Sequence, residues 1–475
     1  MTEGITLESS ARTILDALPC SVLLPAGTGK TELIAAACAV ISNTQQNVLI
    51  LTHTHAGVDA IRARLSKFGV PRERATIRTI DAWCFELVRS YPVLSGMAIS
   101  PEPDWTQSSA YHRAAACAAA SAAMQHVLRC SYQVLFVDEY QDCTFDQHAV
   151  VLQIARAVPT AVLGDPMQAL FNFQSNPSID WQRDVVPQFQ DVALKVHPWR
   201  WQDTNPDLGA WLLGVRADLA AGLGLNLEGA PVNWIKSGGP TAQTRACYAL
   251  PSKGTVAALG QRRADCVSAA SLLGGSYSVM EAIDEKVVTD FCALVDSSGP
   301  SEIAVATVRF ARSCATNVAK HVPPAKRDAL QCGQRMSTRK EQLAAAFESV
   351  NVLLQTPSPG NVRIALLALV GMPDVKLYCR DAFSEATTAL RCAELDPEIK
   401  VVTALSRARN QSRQAGRRPH ARVVSRPRLA KGLEFDHVIL LDADQYDANE
   451  LYVALTRGAR TLTVISDSKR IRPRR

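Results

Sequence analysis

The chain has 475 residues, of which 47% are hydrophobic and 20% charged, with a net charge of +6. This length suggests about three domains' worth of core, and no stretch approaches the roughly 20 apolar residues of a membrane span. The first ten residues are polar and contain Glu3 and Glu8, so we expect neither a signal peptide nor a membrane partner.

Two features of composition bear on location and partners. The thirteen cysteines are scattered without a CxxC pair, which predicts buried free thiols in a reducing cytosol and therefore a cytoplasmic protein. Basic residues crowd into the stretch from Arg407 to Arg428 and into the tail at 470–475. Such clustering suits a polyanion partner, although a solvated face is the alternative.

The first motif in chain order is PAGTGKT at 25–31. It follows an apolar run at 20–24, which predicts a buried strand, and it opens into a helical pattern at 32–40. In this context backbone N–H groups and a helix N-terminus bind phosphate. Lys30 would reach the β- and γ-phosphates of ATP, and the Thr31 hydroxyl would hold Mg²⁺. The strict pattern requires Gly where Leu24 stands, and an ordinary tight turn is the alternative. The predicted nucleotide-binding residues are Ala26, Gly27, Thr28, Gly29, Lys30 and Thr31.

Strands and helices alternate after this loop. The pattern predicts strands at 47–52 and 75–79 and a helix at 56–68. The segment 93–130 changes character, with Pro, Ser and Trp followed by an Ala-rich helix, and we interpret it as an insertion. Alternation of this kind predicts a parallel sheet whose ligands bind at the carboxyl ends of the strands.

A further apolar strand begins at Val134 and ends in two carboxylates, Asp138 and Glu139. In a phosphoryl-transfer site these would hold Mg²⁺ and polarise the attacking water, respectively. Another strand, at 161–163, leads into the segment Gly164 to Gln168.

The motifs resemble those of a known family. In order, PAGTGKT, LTHTHA, TIDAW, VDEYQD and LGDPMQALFNF resemble the first motor domain of superfamily 1 DNA helicases of the UvrD/Rep/PcrA type. Trp199-Arg200 resembles the family's aromatic–Arg motif, and 256–273 resembles the start of its second RecA-like domain. AKGLEFD at 430–436 and YVALTR at 452–457 resemble the last two motifs. The resemblance spans 20–465 and implies an α/β fold with two RecA-like parallel-sheet domains in tandem and reduced helical insertions.

The resemblance also implies domain limits. The first RecA-like ATPase domain would comprise 1–92 and 131–200, and the second 201–297 and 421–475. A small helical insertion would occupy 93–130, and a reduced helical insertion 298–420. Because the insertions are short, the compact chain also resembles the helicase partner in Gabija-type nuclease–helicase antiviral pairs.

The family likeness assigns roles around ATP. Gln168 would sense the γ-phosphate, and Arg200 and Arg457 would neutralise charge on the transferred phosphoryl group. Trp199 would stack on adenine, although a core or surface aromatic is the alternative. Two further residues would lie near the nucleotide: Gly432 at the phosphates and Glu434 at the ribose. The family's N-terminal Gln is absent from 6–16, and Glu32 stands where Arg is common, so we expect weak recognition of the base.

The same likeness predicts contacts to single-stranded DNA. Phe171 and Phe173 match paired aromatics on which bases stack, at about 1 to 3 kcal/mol each, although core packing is the alternative. Thr52, Thr54 and Thr79 match positions that bond backbone phosphates. Two arginines, Arg426 and Arg428, replace the family's Thr-x-His and could grip phosphate.

The leading functional prediction is an ATP-dependent DNA helicase or translocase that moves 3′ to 5′ on a single strand or a single-strand/duplex junction, in repair, recombination or antiviral defence. The alternative is a DNA-stimulated ATPase that senses nucleic acid and regulates a partner nuclease with little unwinding. A helicase–nuclease in one chain is a third possibility, but Asp284, Glu285 and Lys286 form no credible nuclease cluster. We expect a nuclease partner because the motor motifs are intact and no second catalytic centre is visible.

Overall fold

The computed structural model describes residues 7–41, 47–101, 103–170, 177–251, 253–280, 286–415 and 420–474. By contacts the chain divides into two compact units. The first comprises Met1–Pro231, Tyr446–Arg460 and Arg472–Arg475, and the second comprises Val232–Gln445 and Thr461–Ile471. The predicted limits of two motor domains and two insertions stay a prediction.

Strands and helices alternate along the amino-terminal part of the first unit. Its helices are α1 (Leu7–Asp16), α2 (Lys30–Ile41), α3 (His55–Lys67), α4 (Ile80–Ser90), α5 (Pro92–Ser95), α6 (Ser108–Ala120), α7 (Ala122–Ser131), α8 (Phe145–Ala155) and α9 (Pro206–Ala220). Its strands are β1 (Cys20–Leu23), β2 (Asn47–Thr52), β3 (Ala75–Thr79), β4 (Tyr132–Val137), β5 (Thr160–Gly164), β6 (Gln190–Asp191) and β7 (Leu225–Asn226).

The sheet of the first unit has the strand order β3-β2-β4-β5-β1-β6, and its strands pair in parallel. Strand β5 therefore lies between β1 and β4, and the register sets Val162 beside both Ser21 and Val137. Because the three strands end at the same edge, the segments that follow them emerge side by side. These are the segments with the glycine loop, the two carboxylates and Gln168.

Helices cover both faces of this sheet, as continuous apolar strands require. The helices α1, α2 and α3 enclose one core with β1 and β2, and α4, α6 and α8 enclose the other. Within the predicted insertion, Ala114, Ala115, Ala118 and Ala119 are buried in this second core. The Ala-rich helix therefore packs inward and extends the core of the first unit.

The remaining elements follow in chain order. The helices are α10 (Gly239–Tyr248), α11 (Arg263–Leu272), α12 (Lys286–Ser297), α13 (Pro300–Cys314), α14 (Val318–His321), α15 (Pro324–Gln331), α16 (Glu341–Val352), α17 (Pro359–Val370), α18 (Arg380–Leu395), α19 (Val401–Ala415), α20 (Pro427–Ala430) and α21 (Ala448–Leu455). The strands are β8 (Asn233–Lys236), β9 (Val256–Leu259), β10 (Ser278–Val279), β11 (Arg422–Ser425), β12 (Phe435–Leu440), β13 (Gly458–Ser466) and β14 (Arg470–Ile471).

The second unit is built on a sheet of order β10-β11-β9-β12-β13-β8. Strands β10, β11, β9 and β12 pair in parallel, and so do β13 and β8. Helices α12 to α19 lie between β10 and β11 in the chain and contribute to one core with the sheet. The predicted α/β class, with two parallel-sheet domains in tandem and helical insertions, is confirmed.

The cysteines are free thiols, and nine of them are buried. Burial raises the pKa of Cys20 and of Cys38 to about 12, so these thiols stay protonated at neutral pH. The expectation that all are buried is wrong for four that lie at the surface: Cys117, Cys130, Cys332 and Cys392. None of the helices in the described residues is long and apolar enough to cross a membrane.

Candidate nucleotide site

The glycine loop leaves β1 and turns into α2 within six residues. Its start is fixed to the neighbouring strand, because the Leu24 N–H donates to the Gly164 carbonyl at 3.0 Å. Gly27 and Gly29 have φ of +70° and +86°, a backbone region that glycine enters at little cost. The loop therefore has the conformation in which successive N–H groups line an anion site.

Lys30 is the first residue of α2 and is buried. Its ammonium donates to the Leu24 carbonyl at 2.9 Å, so the side chain folds back along the loop. Thr28 closes the turn by donating to the Pro25 carbonyl at 2.7 Å. A cation beside a helix N-terminus and positive-φ glycines fits the phosphates of a nucleotide.

The two carboxylates follow β4 directly. Asp138 is 5% exposed, and its backbone N–H donates to the Leu51 carbonyl of β2 at 2.9 Å. Glu139 has φ of +55°, which is uncommon for a residue with a side chain. This backbone turn lets the Glu139 N–H donate to Asp138 Oδ1 at 2.9 Å. Carboxylate and hydroxyl oxygens are the ligands that Mg²⁺ takes, so Asp138 and Thr31 suit the predicted metal chemically.

A polar chain joins Glu139 to the turn after β5. Gln141 Nε2 donates to Glu139 Oε2 at 2.5 Å, and Gln141 Oε1 accepts from the Asp165 N–H at 2.9 Å. The Asp165 carboxylate is fully buried, and its Oδ2 accepts from Gln168 Nε2 at 3.0 Å. Its Oδ1 accepts from Arg216 Nε at 3.0 Å and Nη2 at 2.8 Å.

The sequence analysis missed Asp165 and Arg216. The Gly-Asp-Pro turn after a strand is a signal for Asp165, because Asp caps such turns. Nothing in the sequence around Arg216, in the middle of α9, indicates its partner.

The structure brings the predicted arginines to this turn. Arg457 is 2% exposed, and its Nη2 lies 3.4 Å from Gln168 Oε1. Arg457 Nε donates to the Val453 carbonyl at 2.9 Å, which fixes its stem on α21. Arg200 Nη1 donates to the Thr456 carbonyl at 2.6 Å. Both arginines therefore belong to the first unit, close to the loop and Gln168.

Two tryptophans lie against the glycine loop. A Cβ built on Gly29 would lie 3.2 Å from the Trp199 ring, which is 38% exposed and therefore accessible to a base. Trp201 was not predicted. It is buried, and its indole N–H donates to the Gly458 carbonyl at 2.6 Å. Sequence reasoning identified the exposed aromatic but not the buried one beside it.

Tyr452 contacts the first residues of the loop. Its hydroxyl oxygen accepts from the Ala26 N–H at 3.1 Å. Burial raises the pKa of Tyr452 well above its usual value, so the hydroxyl remains protonated. The Ala26 N–H, predicted to contact a nucleotide, therefore bonds to α21 in this structure.

The predicted phosphate-contacting threonines meet at one edge of the first sheet. Thr52 and Thr79 are directly opposite each other at the ends of β2 and β3, and both are buried. Thr79 Oγ1 caps α4 by accepting from the Ala82 N–H at 3.1 Å. Exposed Thr54 caps α3 by accepting from the Gly57 N–H at 3.0 Å. Phe171 and Phe173 lie outside the described residues.

Four predicted residues lie in the second unit. Arg426 precedes α20 and Arg428 lies within it. Partial burial and the neighbouring Arg426 lower the pKa of Arg428, which marks a concentration of positive charge. Gly432 has φ of +80°, and Glu434 is exposed. The nucleotide contacts of Gly432 and Glu434 and the DNA contacts of both arginines stay predictions.

Residues 8–174 match the family model described as an AAA domain. The match covers a little over a third of the chain and identifies this part as a nucleotide-hydrolysing module, so the chain is an ATP-hydrolysing enzyme. No curated protein matches the chain significantly. Among solved structures, the chain is similar to Pif1 helicase from Candida albicans, with 10% identity and a TM-score of 0.41, over 100% of this chain and 98% of that chain.

Proposed function

We propose that this chain is an ATP-dependent DNA helicase or translocase that moves 3′ to 5′ along single-stranded DNA. One observation carries the proposal. A connected set of polar side chains runs from Glu139 through Gln141 and Asp165 to Gln168 and Arg457 at the carboxyl edge of one sheet. These are the side-chain types that phosphoryl transfer needs: an acceptor for the water proton, a γ-phosphate sensor and a cation.

The glycine loop would hold the phosphates of ATP, with Lys30 leaving the Leu24 carbonyl for the β- and γ-oxygens. Thr31 and Asp138 are the residues that would hold Mg²⁺, which neutralises phosphate charge when it is bound. Trp199 presents an exposed ring beside Gly29, where a base can stack.

Glu139 would orient the attacking water and accept its proton. Arg200 and Arg457 would neutralise the charge that develops on the phosphoryl oxygens, a contribution of about 10³ to 10⁵ in rate for an arginine in this role. Gln168 would report the γ-phosphate to the buried turn, since its amide joins Asp165 to Arg457.

A short path joins this chemistry to the proposed DNA contacts. Strand β2 pairs directly with β4, and the Asp138 N–H donates to the carbonyl of Leu51. Thr52 follows Leu51, and two residues later Thr54 caps the N-terminus of α3. A shift of Asp138 on hydrolysis would therefore move Leu51, which lies within three residues of the proposed DNA phosphate contacts Thr52 and Thr54. A translocase requires such coupling between ATP hydrolysis and DNA binding.

We further propose that the chain is a motor of the UvrD/Rep/PcrA type, cytoplasmic, and coupled to a nuclease partner in DNA repair, recombination or antiviral defence. The two candidate surfaces for docking are the Ala-rich segment at 111–129 and the basic segment at 407–428, and they differ in the structure. Four alanines of α6, Ala114, Ala115, Ala118 and Ala119, are buried, so most of the apolar surface of this helix faces the core. Within the basic segment, Arg409 is also buried and pairs with Glu385 at 3.2 Å, which leaves docking or DNA contact to its other residues.

The test combines two assays on the purified chain. ATP hydrolysis is measured with single-stranded, nicked, blunt and tailed DNA, and strand displacement is measured on duplexes with a 3′ or a 5′ tail. DNA-stimulated hydrolysis with displacement of the 3′-tailed duplex supports the proposal. Displacement of the 5′-tailed duplex alone overturns the polarity. Stimulated hydrolysis without displacement indicates the DNA-sensing alternative.

A further inference from the structure

The ion pair between Arg216 and Asp165 is unusual because of its burial. The Asp165 carboxylate has no solvent-exposed surface, and the Arg216 side chain is 19% exposed. Two nitrogens of one guanidinium donate to the same oxygen, at 3.0 and 2.8 Å. A buried pair of this kind adds little net stability, because desolvation of both charges offsets their attraction. The pair lies beside Gln141 and Gln168, and this position gives it a role other than stabilising the fold.

Asp165 orients two glutamine amides, those of Gln141 and Gln168. Its backbone N–H donates to Gln141 Oε1, so the other end of the amide, the Gln141 nitrogen, is directed to Glu139. Its carboxylate can only accept, so it takes the Gln168 amide nitrogen and leaves Gln168 Oε1 facing Arg457. The orientation of each amide therefore follows from the chemistry of Asp165.

Arg216 fixes Asp165 from the remaining side. It reaches the site from α9, so the guanidinium ties a packed helix to the turn that follows β5. The other Asp165 contacts come from the turn itself or from Gln141. Loss of Arg216 would leave the carboxylate charge uncompensated and the Asp165 side chain without its tie to α9.

We infer that Arg216 is a positioning residue for ATP hydrolysis, which acts through Asp165 to hold Glu139 and Gln168 in the orientation that the reaction requires. The inference rests on the proposed function of the site. Arg216 touches neither the nucleotide nor the water in this scheme. It sets the direction of two amides. The Gln141 amide contacts Glu139, the proposed water-activating carboxylate, and the Gln168 amide contacts Arg457, the proposed phosphate-neutralising arginine.

The primary variant is Arg216→Met, with Arg335→Met as its matched control. Arg335 also makes a double contact to one carboxylate, that of Glu348, but both side chains are more than half exposed. We expect kcat to fall about 10- to 100-fold in Arg216→Met, as for other groups that position catalytic residues. The Kd for the fluorescent nucleotide mant-ATP should not change, and Arg335→Met should keep wild-type kcat and Kd.

Turnover is counted per bound mant-ATP, so molecules that fail to fold do not contribute. Because Arg216→Met leaves a buried charge, a second variant combines Arg216→Met with Asp165→Asn and removes both charges. It should fold yet retain the low kcat, since neutralising the pair does not restore the tie between residue 165 and α9. Wild-type kcat per bound nucleotide in either folded variant overturns the inference. If the wild-type protein does not hydrolyse ATP, the proposed function itself fails.

Discussion

The ring of Trp201 lies directly against Gly27. A Cβ built on this glycine would lie 2.4 Å from the nearest ring carbon, whereas Cβ atoms in proteins essentially never come within 3.0 Å of another non-bonded heavy atom. The glycine is therefore required for packing as well as for its positive φ. Trp201 also donates to the Gly458 carbonyl, so its ring links the loop to a segment from a distant part of the chain.

Gly27→Ala should abolish mant-ATP binding and lower the thermal midpoint. Gly69→Ala is the matched control, because Gly69 has the same φ of +70° but nothing within 4 Å of a built Cβ. Its variant carries only the backbone strain, on the order of 1 kcal/mol. Equal effects of the two substitutions on the thermal midpoint would show that the contact with Trp201 is unimportant.

Lys30→Ala should abolish both ATP binding and hydrolysis, because we propose that the ammonium binds phosphate. Glu139→Gln should abolish hydrolysis while mant-ATP still binds, because this carboxylate is assigned to the water. Equilibrium binding and turnover are measured on the same preparations. Near wild-type turnover by Glu139→Gln would refute the assignment of the residues after β4.

Arg200→Ala and Arg457→Ala should each reduce kcat by about 10³-fold or more with little change in affinity for single-stranded DNA. Both arginines lie at the loop and Gln168, next to the ends of β1 and β5, whereas the threonines follow or end β2 and β3. The combined substitution of Phe171 and Phe173 by Ala should do the reverse: weaker DNA binding with DNA-independent hydrolysis retained. Fluorescence anisotropy of a labelled oligonucleotide and steady-state hydrolysis separate the two effects. Parallel loss of both properties in the arginine variants would contradict their placement.

Discrimination among nucleotides should be weak. Glu32 stands where helicases of the UvrD/Rep/PcrA type, which the sequence resembles, commonly have an arginine, and its Oε1 accepts from Arg64 Nε at 2.5 Å. Stacking on Trp199 then remains the main predicted contact to the base, and pockets without a hydrogen-bonded base edge discriminate by about 100-fold at most. GTP and CTP should therefore support turnover at saturating DNA, as kcat/KM for the three nucleotides would show. A strict ATP requirement would mean that backbone groups recognise adenine.

Asp81 should make stability depend on pH in acid. Partial burial alone would raise its pKa, but hydrogen bonds from His112 at 2.7 Å and Gln147 at 2.9 Å lower it below the usual value. A depressed pKa stabilises the folded state above the unfolded value of about 3.9, and this contribution is lost as pH falls through the folded pKa.

The stability difference between wild type and Asp81→Asn should therefore be full at pH 7 and shrink below about pH 4. Urea midpoints across this range measure it. Asp59→Asn is the control, since Asp59 forms an exposed pair with Arg62 on α3. A difference that persists unchanged into acid would mean that the contacts of Asp81 do not depend on its charge.

Strands β2 and β3 of the first sheet could be predicted closely from local pattern. Their limits agree with the predicted strands, because each strand ends at, or two residues before, the threonine that caps the next helix. The packing of the segment 93–130 could not be predicted in this way. Its alanines indicate a helix, but composition does not say that α6 packs against α4 and α8 inside the first core.

The site could be predicted where a short sequence motif includes the functional side chain itself. Lys30, Asp138 and Gln168 all follow strands that end at one edge, and this follows from alternation of strands and helices. The partners of Trp201 and Arg216 could not be found this way. Their contacts lie 257 and 51 residues away along the chain, and local spacing carries no information on such distances.

The bond between Tyr452 and Ala26 sets an order of events during synthesis. The loop is made early, but its partner lies 426 residues later. At about 5 to 20 residues per second, translation needs roughly 20 to 90 s to reach it. Until then the nascent chain holds a phosphate loop without Tyr452 or Arg457. From the proposed role of Arg457 we expect hydrolysis to begin only after synthesis has passed α21, and any fragment that stops short of this helix should be unable to hydrolyse ATP efficiently.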